Sequence, residues 1–184
     1  YKKLIIVFEG IEGSGKSYHI KNISNYLKKN KIKFIKIREP GGSKNSEKIR
    51  ALLMNKNSKF DKLTDLMLYM ASRNENFISI ISKNLNKKII LIDRFTDSTI
   101  AYQHYGMNID MKLINYLNKT ILSKTKATFT FLHTVSIKNL NSRLKKRSNL
   151  NRYDKFKNIF YKKAQKGFIS LSKNKSNYRI DCCE

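Results

Sequence analysis

The sequence predicts an α/β fold with a mainly parallel sheet. Five short runs rich in β-branched residues alternate with longer stretches in which apolar residues recur at helical spacing, as Ile20, Ile23 and Leu27 do. Strand followed by helix over the whole length is typical of a parallel sheet covered by helices. We expect right-handed crossovers between the strands.

The elements can be assigned in order along the chain. Strands are expected at 4–8, 32–37, 89–92, 128–132 and 177–180. Helices are expected at 17–30, 46–54, 63–85, 96–105, 111–122, 137–146 and 155–173. The single proline, Pro40, marks a loop after the second strand.

The 184 residues, 40% of them hydrophobic, predict one globular domain over 1–184. The apolar run at 4–8 is too short for a signal peptide or a membrane span, so we expect a soluble, cytoplasmic protein. Because the first residue is Tyr1, we expect a chain trimmed at its start. Whether a terminal helix after Glu184 is missing from this sequence stays an open question. Cys182 and Cys183 lack metal or disulfide spacing and are interpreted as reduced thiols without a role.

The formal net charge of +26 has two interpretations. It could mark a surface that tracks nucleic-acid phosphates. The basic residues form no single block, however, and lysine is abundant along the whole chain, which favours a generally lysine-rich surface. A positive field would also suit an enzyme of anionic nucleotides.

The stretch "FEGIEGSGKS" holds three of the seven glycines and fits the phosphate-binding loop G-x-x-x-x-G-K-[ST]. Glycines let successive N–H groups point at phosphate oxygens, and the following helix adds its positive end. Lys16 is suited to the terminal phosphates and the Ser17 hydroxyl to Mg²⁺. The expected ATP-binding residues are Gly10, Ile11, Glu12, Gly13, Ser14, Gly15, Lys16 and Ser17.

Charged residues follow the expected strands where ligands bind in such sheets. Asp93 ends the third strand and can hold Mg²⁺, while Arg94 is suited to grip phosphate. Arg38 and Arg50 could hold a second phosphate, although their stretch alone signals only a loop. The signal at Tyr69 and Arg73 is weaker still. Tyr69 and Arg73 share a helix face that could read a base or could be a core aromatic beside a surface arginine.

The basic segment "RLKKRSNLNR" lacks strong apolar periodicity. It could form a mobile lid, over about 143–155, that brings arginines above the phosphates as the site closes. A solvated helix end and loop would explain the same residues. The candidate catalytic arginines in it are Arg143, Arg147 and Arg152.

Taken together, the chain resembles the thymidylate kinase (dTMP kinase) family in its bacterial form. Four motifs carry the resemblance in order: "FEGIEGSGKS", "REPGGSKNSEKIR", "LMLYMASR" and "DRFTDSTIAYQ". The resemblance covers nearly the whole chain, from Ile5 to about Asp181. It implies the P-loop nucleoside monophosphate kinase fold, a five-stranded parallel sheet flanked by helices, and transfer of the γ-phosphate of ATP to dTMP for dTTP synthesis.

The resemblance also implies a role for each residue. Lys16 and Ser17 would serve ATP and Mg²⁺, and Asp93 matches the Mg²⁺-associated acid. Around dTMP, Glu12 matches a residue near the deoxyribose 3′-hydroxyl. The phosphate would be surrounded by Arg38, Arg50 and Arg94. The thymine would be stacked by Tyr69, bound by Arg73 and read by Thr99 and Gln103, while Tyr102 would disfavour ribonucleotides.

The lid follows the same resemblance. Gly13 stands where the eukaryote-like form carries an arginine, so a lid arginine is expected to be catalytic. Three residues depart from the family's usual pattern: Tyr69 replaces a phenylalanine, Tyr18 a small hydroxyl residue and Asn151 an aspartate. These departures bear on the catalytic rate more than on which reaction is catalysed. The resemblance further implies a homodimer through helices near 64–85 and 96–105.

Three alternatives remain at this level. The first is a kinase for another monophosphate, such as dUMP or dGMP. The second is a P-loop ATPase that binds nucleic acid, which the charge suggests, but no nucleic-acid module is recognisable and the arginines occupy family kinase positions. The third is an inactive relic, although the phosphate-site residues are all present.

Overall fold

The computed structural model describes residues 4–148, 150–173 and 175–182, and its five strands form one sheet. The strands are β1 (Ile5–Glu9), β2 (Phe34–Arg38), β3 (Ile89–Asp93), β4 (Phe129–Thr134) and β5 (Tyr178–Cys182). Their order is β2-β3-β1-β4-β5, and each neighbouring pair is parallel. The expected five-stranded parallel sheet is confirmed.

Helices connect the strands. The α-helices are α1 (Lys16–Lys29), α2 (Lys44–Met54), α3 (Lys62–Asn76), α4 (Ser82–Asn84), α5 (Thr96–Thr99), α6 (Met111–Leu122), α7 (Ile137–Lys145) and α8 (Asn158–Ser172). A 3₁₀ turn, Tyr153–Lys155, precedes α8. No helix within the described ranges is long and apolar enough to cross a membrane.

Two expected helices are wrong in detail because each contains a π-helical segment. The expected helix at 63–85 is α3, then a π-helix at Phe77–Ile81, then α4. The expected helix at 96–105 is α5 followed by a π-helix at Ile100–Gly106. Periodicity cannot find such segments, because the wider π turn depends on what the helix packs against.

The sheet is covered on both faces, and alternate residues of β1 show this. Phe8 packs towards α1 in a cluster with Ile20 and Leu27. Ile5 and Val7 point to the opposite face, in a cluster that includes Leu122 of α6. Since both faces are buried, the central strands are near-continuous apolar runs, as the sequence showed.

The carboxyl ends of three strands meet at one edge of the sheet. Phe8 of β1 and Arg38 of β2 both lie in register with Asp93 of β3. The residues that follow Phe8 form the phosphate-loop motif. The fold therefore places the loop, the acid and the charged end of β2 side by side.

Asn149 of the expected lid, together with Cys183 and Glu184, lies outside the described residues.

Candidate active site

The loop between β1 and α1 has the backbone that its glycines predict. Gly10, Gly13 and Gly15 all have positive φ angles, of 137°, 67° and 93°. A Cβ atom on Gly10 would lie 2.2 Å from the carbonyl oxygen of His133 on β4. A larger residue at Gly10 would therefore push the loop away from the sheet edge.

Lys16 starts α1 and folds back over the loop. Its Nζ atom donates to the carbonyl oxygens of Gly10 and Ile11, both at 2.8 Å, and to Ser14 Oγ at 3.3 Å. Burial, followed by the nearby Arg94 charge, lowers the pKa of Lys16 to about 8. The ammonium is thus held at the base of the loop, where phosphates would bind.

Asp93 offers an oxygen suited to a metal or to its water shell. Its Oδ1 atom is buried and has no hydrogen-bond partner among the described residues. Asp93 and Ser17 line the same cavity. A buried carboxylate oxygen with no partner among the described residues, in a cavity that a serine also lines, fits the oxygen ligands that Mg²⁺ prefers.

Arg94 links the end of β3 to the phosphate loop. Its Nη1 atom donates to Gly10 O at 2.9 Å and to the Tyr102 hydroxyl at 3.2 Å, and Nη2 donates to Glu12 Oε1 at 2.8 Å. Its backbone takes a positive φ of 68°, unusual for a residue other than glycine. This backbone is found at functional sites when surrounding contacts hold it.

The charges of this group are set by one another. Burial opposes ionisation of Glu12, but Arg94 and Lys16 outweigh it and keep the pKa of Glu12 below its usual value. Burial also opposes the charge of Arg94, but the nearby carboxylates, with Glu12 first, outweigh it, so the pKa of Arg94 is raised. Tyr102 stays protonated because burial raises its pKa strongly, and its hydroxyl donates to Glu12.

A cavity of about 730 Å³ extends from the loop to α3 and the π-helix at Ile100–Gly106; the part lined by these two elements is called the second chamber. Most of the predicted site residues line it: Glu12, Gly13, Ser14, Gly15, Lys16, Ser17, Arg50, Tyr69, Arg73, Asp93, Arg94, Thr99, Tyr102, Gln103, Arg143 and Arg147. Gly10, Ile11, Arg38 and Arg152 are not among its lining residues.

Several hydrogen bonds hold the Arg73 side chain in the second chamber. It is 2% exposed and its Nε atom donates to Glu39 Oε2 at 2.8 Å. Its Nη1 atom donates to Asn118 Oδ1 at 2.6 Å, and Nη2 to Phe95 O and Thr99 Oγ1, both at 3.0 Å. Arg73 is therefore not a surface arginine: its guanidinium is buried, and these hydrogen bonds hold it in the cavity wall.

The aromatic wall of the chamber includes a residue that the sequence analysis did not identify. Tyr153 meets Tyr69 edge to face, with ring centroids 6.0 Å apart, and lies 6.2 Å from the Tyr102 ring. Burial raises the pKa of Tyr69 to about 12, so its hydroxyl stays neutral. Gln103 lines the cavity and is 1% exposed, and its Nε2 atom is a buried donor with no partner among the described residues.

The two arginines expected at a second phosphate differ in position. Arg50 lines the cavity and donates from Nη1 to Pro40 O at 2.7 Å. Arg38, the last residue of β2, is exposed, and its Nη2 atom lies 3.0 Å from Glu47 Oε2. In this structure Arg38 therefore contacts Glu47 and not the cavity.

The lid arginines also separate. Arg143 donates from Nη1 to Gly13 O at 2.6 Å, and Arg147 Nη1 pairs with Asp154 Oδ1 at 2.7 Å; both line the cavity. Arg152 turns away and pairs with Asp65 of α3, and its guanidinium carbon lies 5.1 Å from the Tyr153 ring centroid. The Arg152–Asp65 pair thus fastens the lid to α3.

Several contributing residues escaped the sequence analysis. Glu39 follows Arg38 at the end of a strand, a position that could have revealed it. Asn118, Tyr153 and Asp65 gave no such signal, because an ordinary helix or loop residue becomes part of a site only through packing.

The sheet order, phosphate loop and shared cavity define a P-loop kinase of the nucleoside monophosphate class. A family model described as thymidylate kinase matches residues 8–182. The chain belongs to the thymidylate kinase family.

Relatives and solved structures agree with this family. A thymidylate kinase of Sulfurihydrogenibium sp. (strain YO3AOP1) is 39% identical over 171 residues, covering 92% of this chain and 83% of the relative. One from Thermosipho africanus (strain TCF52B) is 37% identical over 96% of this chain and 88% of its own. The crystal structure of thymidylate kinase from Ehrlichia chaffeensis superposes with a TM-score of 0.80 at 32% identity, covering 99% of this chain and 92% of that chain.

Proposed function

We propose that this chain transfers the γ-phosphate of ATP to dTMP, giving dTDP and ADP, with Mg²⁺ as the metal. The supporting observation is that one cavity contains both the phosphate loop and a second, aromatic-walled chamber, with Arg94 and Glu12 between them. A kinase needs donor and acceptor to meet in this way. The product dTDP would feed dTTP synthesis in the cytoplasm.

In the acceptor chamber, Tyr69 would stack on the thymine and Arg73, Thr99 and Gln103 would contact its edge. Gln103 Nε2, which has no partner among the residues that the structure describes, supports this, because a base carbonyl would satisfy a buried donor. Arg73 would act from a position fixed by Glu39 and Asn118. A rigid wall of this kind suits recognition of one base.

The sugar and phosphate of dTMP would lie near the centre of the cavity. Glu12 would accept from the deoxyribose 3′-hydroxyl, and Tyr102, held against Glu12, would leave no room for a 2′-hydroxyl. Arg94 and Arg50 would bind the acceptor phosphate. Arg38 would join them only by leaving Glu47, an exposed pair whose loss costs little.

On the donor side, the loop amides of Gly13 to Ser17 would bind the ATP phosphates. Lys16 Nζ would exchange the carbonyl oxygens of Gly10 and Ile11 for phosphate oxygens. Ser17 and Asp93 would hold Mg²⁺, which neutralises developing charge on the phosphates when it is bound.

Transfer itself needs positioning and charge stabilisation more than a base. The acceptor phosphate oxygen is already a nucleophile near neutral pH, so no strong proton acceptor is required. Arg94 would hold that oxygen in line, while Lys16 and the lid arginines Arg143 and Arg147 would stabilise the transferring group. Both lid arginines line the cavity, which supports their role.

The deciding experiment is a coupled ADP-release assay with ATP and Mg²⁺. Its arms are dTMP, dUMP, dGMP, AMP, single-stranded DNA and no acceptor, each repeated without Mg²⁺ and with Lys16→Ala as the inactive control. We expect turnover with dTMP far above every other arm. A preference for dUMP or dGMP would replace dTMP as the proposed acceptor. ATP hydrolysis that rises only with DNA would overturn the proposal.

We also propose a homodimer, formed mainly through α3 and the π-helix that follows it. Three large apolar side chains on this surface, Leu63, Met67 and Ile78, are exposed. The segment 96–105 is mostly buried within the chain itself and lends less support. Light scattering of the wild type and of Met67→Lys tests this: we expect two chains for the former and one for the latter. A monomeric wild type would refute it.

A further inference from the structure

Two histidines and an aspartate meet beside the phosphate loop, outside the machinery described above. His133 lies on β4 in register with Asp181 on β5, so both side chains point to the same face of the sheet. His19, on the first turns of α1, covers that face. Within the described residues, one ligand atom from each of the three lies within 4.8 Å of the others.

The separations fit a shared metal ion. His19 Nε2 is 3.4 Å and His133 Nδ1 is 3.5 Å from the same Asp181 oxygen. Zinc bonds to histidine nitrogen and carboxylate oxygen of about 2.0–2.2 Å place neighbouring ligands of a tetrahedral site about 3.3–3.5 Å apart. Two of the three separations thus already match those of tetrahedral ligands, and the two histidine nitrogens lie within 4.8 Å of each other.

Packing fixes the rings before any ion binds. The His133 ring is 2% exposed and stacks on Phe8 with centroids 6.2 Å apart, and on His19 with centroids 4.4 Å apart. On the other side, His19 and Asp181 are one-third and one-half exposed. An ion could therefore enter from solvent and keep a water in its fourth position, as open zinc sites do.

We propose that His19, His133 and Asp181 bind one divalent transition-metal ion of the zinc class. Two imidazoles and one carboxylate are ligands that suit zinc better than Mg²⁺, which prefers oxygen ligands. The site is distinct from the Ser17–Asp93 pair. Because His19 also lines the nucleotide cavity, the ion would lie at its rim.

The test uses the tag-free chain without nucleotide, because both affinity tags and ATP bind zinc. Zn²⁺ binding is measured by calorimetry, and Co²⁺ serves as a spectroscopic probe of coordination. We expect one ion per chain and the visible Co²⁺ bands of a four-coordinate site. His19→Ala and Asp181→Asn should each weaken Zn²⁺ binding by about 100-fold or more, beyond what loss of an outer partner costs.

The chain provides matched controls. His104, the third of its three histidines, lies in the second π-helix, so His104→Ala should bind Zn²⁺ like the wild type. Cys182→Ser/Cys183→Ser tests whether the two thiols that follow Asp181 in the sequence bind the ion instead, and it should leave binding unchanged. Circular dichroism confirms that each variant is folded.

Three outcomes would overturn the proposal. The wild type could fail to bind Zn²⁺ at the level of one ion per chain. Folded His19→Ala and Asp181→Asn could bind as tightly as the wild type. The double cysteine variant could lose binding while His19→Ala and Asp181→Asn keep it, which would assign the ion to the thiols.

Discussion

Arg94 reaches from the end of β3 to the phosphate loop, where its Nη2 atom donates to Glu12 Oε1 at 2.8 Å. The two residues are 82 positions apart in the sequence and belong to different motifs. Their contact joins the loop proposed to bind ATP to the chamber proposed to bind dTMP. It is the point at which the two halves of the cavity become one site.

Lys16→Ala should abolish turnover and leave the fold intact. The ammonium is buried at the base of the loop, and its removal takes away a charge that would stabilise the transferring phosphate. We expect kcat to fall by at least about 10²–10³-fold. Lys21→Ala, an exposed lysine one turn further along α1, should keep full activity. A folded, active Lys16→Ala would disprove the assignment.

Arg73→Ala should weaken dTMP far more than ATP, because Arg73 lines the acceptor chamber. The same change strands Glu39, which is 4% exposed, so it should also lower the free energy of unfolding by roughly 3–5 kcal/mol. Urea unfolding measures that loss. Arg73→Ala/Glu39→Ala should recover part of it, since no unpaired buried charge remains.

The double variant then separates recognition from stability. Calorimetry of dTMP and of ATP on Arg73→Ala/Glu39→Ala should show a loss confined mainly to dTMP. Arg179→Ala, an arginine on β5 that is absent from the cavity lining, is the control and should bind both nucleotides normally. Equal losses for dTMP and ATP would remove Arg73 from the base site.

The lid arginines should fall into two classes. Arg143→Ala and Arg147→Ala should lower kcat, because both side chains line the cavity. Arg152→Ala should act by releasing the lid from Asp65, so Asp65→Asn should reproduce its effect on KM and kcat, and the double variant should add little more. Steady-state kinetics of all five variants tests this.

A different result would assign Arg152 to the chemistry. Arg152→Ala would then reduce kcat as strongly as Arg143→Ala does, while Asp65→Asn would leave kcat unchanged. The non-additivity of the pair is therefore the informative quantity. If both residues act through one shared contact, the double variant loses less free energy than the sum of the two single variants.

Glu9 should make the protein less stable as the pH rises towards neutrality. Burial, followed by the nearby charge of Asp97, raises the pKa of Glu9 from 4.5 to about 7. The folded chain thus binds more protons than the unfolded chain between these pH values, so the free energy of unfolding falls across this window. The whole difference corresponds to about 3 kcal/mol.

Glu9→Gln should remove this pH dependence, since the amide mimics the protonated acid that accepts from Phe95 N at 2.9 Å. Urea unfolding at several pH values from 5 to 8 compares the variant with the wild type. Glu75→Gln, at a carboxylate that contacts Asn45 on the surface, should keep the wild-type dependence. Parallel curves for Glu9→Gln and the wild type would count against the effect.

Local patterns determined much of the fold and the family. Strand positions, the phosphate loop and the acid–arginine pair at 93–94 depend on neighbours in sequence, so periodicity and motif spacing predict them. The two π-helical segments escaped prediction. Tyr102 and Gln103 lie in the second of these, so their exact presentation to the cavity was not readable from a 3.6-residue repeat.

By itself, the sequence determined that this chain is a parallel α/β phosphate-loop protein, and its motifs indicated the family. Only the tertiary structure decided that Arg73 is a buried wall residue with five hydrogen-bond partners and that Arg152 faces α3. It also brought His19, His133 and Asp181 together from three elements. The physical reason is that motifs record short-range backbone requirements, whereas partners of a side chain are set by packing between segments far apart in the chain.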